Sequence, residues 1–97
     1  MKKGYWVVAY RSIRDESAVK AYTALAVPAI QSSGGRFLTL STSPIETHEA
    51  GLALWTFLVE FDSYDQARAA YAGEAYGKAL IALGSGAERD FRIIEGA

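Results

Sequence analysis

Residues 52–61, LALWTFLVEF, are apolar at every position except Thr56 and Glu60. A strand with one face in water alternates apolar and polar side chains, because successive residues point to opposite sides of the sheet. This stretch offers apolar groups to both sides. It reads as a central strand covered by helices on one face and by something else on the other. What covers that second face decides the architecture.

The flanking sequence supplies helices for one face only. GYWVVAY (4–10) has the β-branched and aromatic content of a first strand. Asp15 is placed to cap a helix, and Glu16 suits the positive end of its dipole. In ESAVKAYTALAVPAIQSS (16–33) apolar residues recur at 18, 22, 25 and 29, with 26 and 30 widening the stripe. Pro28 lies inside this stripe and predicts a kink or an early end. Gly34-Gly35 then stops the helix, and RFLTLST (36–42) reads as a second strand. SPIETHEAG (43–51) is the joining loop, and LALWTFLVEF is strand three. Ser63 with Gln66 forms a capping box for a helix carrying Ala67, Ala70 and Tyr71 on one side. Gly73 interrupts it, EAYGKALIAL (74–83) resumes it, and Gly84 and Gly86 end it. RDFRII (89–94) is the last strand.

The two halves align weakly, VAYRSIRDESAVKAY beside VEFDSYDQARAAY. Two β-α-β units predict an α+β chain of ferredoxin-like type, β-α-β-β-α-β, with a four-stranded antiparallel sheet in the order 4-1-3-2. Both helices then lie on one face. By parity, strand one divides into Tyr5, Val7, Ala9 and Trp6, Val8, Tyr10; both sets are largely apolar. A bare apolar face of this size is unusual for a monomer. The expectation is a homodimer through the sheet face, burying about 800 Å² per subunit. The alternative is that residues 43–51 and the C-terminal residues fold over that face.

Composition narrows the function classes. Ninety-seven residues are expected to form a single domain, residues 1–97. The formal net charge is −1 and the basic residues are scattered, so no nucleic-acid footprint is present. There is no cysteine, which excludes disulfides, thiolate catalysis and cysteine-ligated metal. The apolar run near the start ends at Arg11, too short to span a bilayer, so no membrane partner is expected. A small acidic chain without cysteine fits a cytoplasmic location.

Several blocks then carry a resemblance: GYWVV at the start, Asp15 and Tyr22 in D-x-x-A-x-x-x-Y, GGRFL (34–38), VEFDSYDQA (59–67), EAYGKA (74–79) and DFRIIEG (90–96). Together, in this order and over nearly the whole chain, they resemble the domain of unknown function 1330 family. The resemblance implies a dimeric α+β barrel, in which ferredoxin-like sheets pair face to face, and it brings no activity with it. Glu49-Ala50-Gly51 departs from the Glu-Gly step expected there, and Glu16 stands where a proline is common. The same superfold hosts cofactor-free monooxygenases, haem-degrading enzymes, lactone isomerases and ligand sensors, so fold selects no function.

The candidate catalytic residues are Glu60 and His48. Glu60 sits in an otherwise apolar strand, where a carboxylate must be paired, shifted in pKa or at an exposed end. Arg36, Arg92 and Arg11 are its candidate partners, and Glu60 and Arg36 both fall within the blocks that match the family. His48 is the only histidine; it would act as a base only if an acid such as Glu46 or Glu49 oriented it. A solvated loop histidine and a cross-strand ion pair are the plain alternatives. Arg36, Tyr22, Trp55 and Tyr71 are the candidate substrate-binding residues: an anion holder and aromatic walls for a small apolar or aromatic ligand. Such aromatics also build cores. No cofactor and no metal site is expected, since a single histidine without cysteine supports none. GG (34–35) and GSG (84–86) lack the placement and the lysine of a phosphate loop. Three functions stay open: a cofactor-independent enzyme using acid/base chemistry, a non-catalytic ligand-binding module, and a structural dimer.

Overall fold

One long strand, β1 (Gly4–Ile13), runs through the middle of the sheet in a computed structural model that describes residues 1–97. It is followed by α1 (Glu16–Ser32), β2 (Arg36–Phe37), β3 (Thr56–Phe61), α2 (Tyr64–Ala72), α3 (Glu74–Leu83) and β4 (Ala87–Glu95). The order across the sheet is β2-β3-β1-β4 and every pairing is antiparallel. This is the ferredoxin-like α+β arrangement and strand order expected from the sequence, with the second helix divided at Gly73.

Register explains the core. Trp6 lies opposite Val59 on one side and Ile93 on the other, and Val8 lies opposite Phe57 and Phe91. Side chains of one parity therefore meet beneath the helices, where Trp6, Val8, Tyr10, Val59 and Phe61 are buried. Trp6 is the hub. Its ring centroid is 5.1 Å from that of Phe61, 4.9 Å from Tyr76 and 5.0 Å from Phe91. Its indole N–H donates to the Ala67 carbonyl of α2 at 2.8 Å, so the largest buried side chain leaves no donor unpaired.

The helix ends follow local chemistry. The Asp15 carboxylate accepts from the backbone N–H of Ser17 and Ala18, as its position predicts. Ser63 caps α2 by accepting from the Gln66 N–H at 3.1 Å. The Gln66 side chain does not complete the capping box; it reaches across to the Ser33 carbonyl at 3.0 Å and ties α2 to the end of α1. Gly34 sits beside that amide with φ 86°, a left-handed turn that a side chain would strain.

Three further expectations from sequence differ from the structure. Pro28 neither kinks nor ends α1, which continues to Ser32. Pro28 and Ala24 are both exposed, so the carbonyl that loses its helical donor faces water. Strand two is two residues long rather than seven, and strand three begins at Thr56 rather than Leu52. The ladder ends because a side chain intrudes: the Leu58 N–H donates to the Thr39 hydroxyl at 3.1 Å instead of to a backbone carbonyl. Residues 52–55 then have no partner on that edge. On the other edge the Trp55 carbonyl still accepts from the Tyr10 N–H at 2.9 Å, and its ring packs edge-on against Tyr10, with centroids 5.7 Å apart.

The face away from the helices is mixed. Val7 lies opposite Leu58, and Ala9 opposite Thr56, at its centre. Ile94 and Leu38 are about half exposed, at 56% and 50%. Arg36, Glu60, Asp90 and Arg92 form ion pairs around this strip.

Candidate functional site

A cavity of about 450 Å³ lies between α1 and the helix-facing side of the sheet. Tyr10, Phe57 and Val59 line it from the strands, and Tyr22, Ala26 and Ile30 line it from α1. Leu40 and Trp55, at its rim, are both exposed. The space exists because α1 offers a small side chain, Ala26, where the strands opposite carry rings. Beyond Phe37 the short β2 leaves the loop, not a strand, to border the mouth. The volume falls within the range of about 300–1,000 Å³ common for small-molecule sites.

The wall is mostly apolar; Thr23, Gln31, Thr39 and Ser41 add uncharged polar groups, and Arg89 is its one charged residue. Arg89 on β4 lies opposite Tyr10 in register, on the same side of its strand as Phe91 and Ile93. Its guanidinium donates to the Tyr22 hydroxyl at 2.9 Å. It also lies 4.7 Å from the Tyr22 ring centroid, 5.6 Å from that of Tyr10 and 5.4 Å from that of Phe91. The Tyr22 hydroxyl is 2.6 Å from that of Tyr76, so the three groups form a chain from the cavity into the core. Burial works against the Arg89 charge, but the Tyr22 and Tyr76 oxygens more than offset this and raise its pKa. The cation persists throughout the working pH range.

Burial pushes Tyr76 and Tyr10 above a tyrosine's ordinary value, with Arg89 opposing the rise. A raised folded-state pKa means that the fold favours the neutral phenol. That contribution is whole below the unfolded value of about 10 and is lost as pH rises beyond it. The urea midpoint is therefore expected to fall above about pH 10, with phenolate absorbance from these rings appearing together with unfolding. A constant midpoint with early phenolate absorbance would contradict this burial.

The residues singled out from sequence go to four places. Tyr22 and Trp55 line the cavity. Glu60 and Arg36 come together on the opposite face of the sheet, with Arg36 donating to Glu60 at 3.0 Å and to Asp62 at 3.1 Å. Tyr5 also donates to Glu60 at 3.2 Å. The Arg36 guanidinium holds the Glu60 carboxyl below the usual carboxylate range. His48 is exposed in the loop and pairs with Glu46. Tyr71 packs against Tyr76 and Phe91 at centroid distances of 5.4 and 5.0 Å, without lining the cavity. Arg89 was not among the sequence candidates. Its signal is parity: it precedes Phe91 and Ile93 at two-residue spacing, which places a charge on an inward row. No group of His, Asp or Glu side chains comes together that could hold a metal ion, and no helix is long and apolar enough to cross a membrane.

Comparison with known proteins agrees with this architecture. A family model described as a domain of unknown function (DUF1330) matches residues 3–97. A protein of unknown function from Rhodopseudomonas palustris superposes with a TM-score of 0.74 at 14% identity, covering 99% of this chain and 83% of that one. Its methylated form gives 0.75 at 14% identity, covering 99% and 82%. A protein of unknown function from Bacteroides thetaiotaomicron, described as "Possible Oxidoreductase", superposes at 0.51 with 13% identity, covering 97% of this chain and 95% of that one. At these identities the likeness speaks for the fold alone. A search of curated proteins finds no match.

Proposed function

The chain belongs to the domain of unknown function 1330 family, whose name assigns no activity, and we propose that it binds a small apolar or aromatic molecule in the cavity between α1 and the sheet. The observation that carries this is the cavity: about 450 Å³ of mostly apolar wall in a chain of 97 residues. A tightly packed core keeps few voids larger than a water molecule. Titration of ¹⁵N-labelled protein with 2-naphthamide tests it. Amide shifts are expected at Ala26, Val27, Trp55 and Phe57. Shifts scattered over the surface, or none with either 2-naphthamide or 2-naphthoate, would overturn the reading.

Acid/base chemistry at Glu60 is a second reading, favoured by the Tyr5 hydroxyl and the Arg36 guanidinium that meet its carboxylate. Glu60→Gln is expected to abolish any turnover that depends on it; undiminished turnover removes Glu60 from the mechanism.

The assembly belongs to the same proposal. Two copies pressed together through the open sheet face, in the cytoplasm, would cover Val7, Leu58 and the exposed Ile94 and Leu38. Leu58→Glu places a charge at the centre of that contact without touching the helix-facing core. It is expected to give single chains by sedimentation with an unchanged circular dichroism spectrum. Wild-type protein that sediments as single chains at micromolar concentration would refute the dimer.

A further inference from the structure

The guanidinium of Arg89 has no anionic partner within the chain. None of the ion pairs involves it, and its electrostatic neighbours are the tyrosines 10, 22 and 76. Its planar fork donates to the Tyr22 hydroxyl at 2.9 Å, with the Tyr10 and Tyr76 hydroxyls close enough to interact with it, and all three are neutral phenols. The tyrosine hydroxyls and ring faces steady this cation, but none of them brings a negative charge to it. Here the rings of Tyr10, Tyr22 and Phe91 flank it and hold it in place. The charge at the cavity is thus fixed in position and lacks a counter-charge.

We propose that the cavity selects a small apolar monocarboxylate, whose head pairs with Arg89 and whose body lies between α1 and the strands. This rests on the reading of the cavity as a ligand site. A neutral ligand would leave the guanidinium desolvated and unpaired. A dianion would bring an excess negative charge into a wall that offers one positive charge. A carboxylate matches both the charge and the two-pronged geometry of the fork. Tyr22 adds a second contact: when Tyr76 donates to the Tyr22 oxygen, the Tyr22 proton is free to reach the head.

Calorimetry with matched pairs of probes tests this. The pairs are 2-naphthoate with 2-naphthamide, and octanoate with octanamide, so that aromatic and aliphatic bodies are compared under one chemistry. In wild-type protein at least one acid is expected to bind roughly tenfold or more tighter than its amide, as a charge-assisted hydrogen bond implies. Arg89→Met is expected to erase that difference while amide binding persists; Arg89→Lys keeps part of it, because a point charge replaces the fork. Replacing an unpaired, half-buried cation by an apolar side chain is compatible with folding. Should Arg89→Met not fold, the acid–amide comparison in wild-type protein decides alone. Equal binding of acid and amide overturns the anion inference and leaves the cavity as a ligand site. Failure of all four probes at millimolar concentration overturns the ligand site, and the anion inference with it.

Discussion

Trp6→Ala is expected to lower the urea midpoint of unfolding sharply and to leave a far less stable fold. Trp6 is 1% exposed and stacks near Phe61, Tyr76 and Phe91, linking β1 to β3, α3 and β4. Truncation of a buried tryptophan costs about 3–5 kcal/mol. It also removes the indole donor from the Ala67 carbonyl, the one side-chain hydrogen bond from β1 to α2. Domains of this size are stable by about 5–15 kcal/mol, so one substitution takes a large share. Urea titration followed by circular dichroism measures it. A loss below about 1 kcal/mol would mean that the aromatic cluster is not the core's centre.

A pair of substitutions on α1 separates empty space from packed space. Ala26 and Ala29 are both buried, at 2% and 6% exposure, and lie three residues apart on the helix. Only Ala26 lines the cavity. Ala26→Leu therefore extends into open volume. It is expected to keep or raise the melting temperature and to weaken 2-naphthamide binding roughly tenfold or more, as lost space and lost contact imply. Ala29→Leu presses into occupied volume and is expected to cost about 1–3 kcal/mol. Thermal melts of the two variants check the contrast, and calorimetry checks the binding loss. Equal destabilisation by both would mean that the cavity is not accessible to side chains. Wild-type affinity in Ala26→Leu would place the ligand elsewhere.

These outcomes depend on features that were unequally legible in the sequence. Strand order followed from the apolar run at 52–61 and the matched halves, because handedness and layer rules leave few arrangements for two β-α-β units. The cap at Asp15 and the breaks at Gly73 and Gly84 were legible because each is a local chemical event. The lengths of β2 and β3 were not. They turn on Thr39 offering its hydroxyl to Leu58, a contact between residues nineteen apart that no local pattern announces. The early end expected at Pro28 failed for a related reason: whether a lost hydrogen bond matters depends on which side of the helix meets water. The site was half legible. Tyr22 and Trp55 were marked by being aromatic, whereas Arg89 needed the register of β4 against β1 before its inward position meant anything. Arg36 was one of three partners the sequence offered Glu60, with Arg92 and Arg11, and the sequence did not say that their face is the one without the cavity.

Both tryptophans of the chain border the cavity: Trp6 in its buried wall and Trp55 at its rim, 42% exposed. All indole emission from this chain thus originates beside that one space, from one dry and one wet chromophore. An entering molecule that lacks near-ultraviolet absorption should shift the wet chromophore's spectrum toward the blue and leave the dry one's nearly still. The chain carries its own optical gauge of occupancy, and neither dye nor isotope is needed to read it.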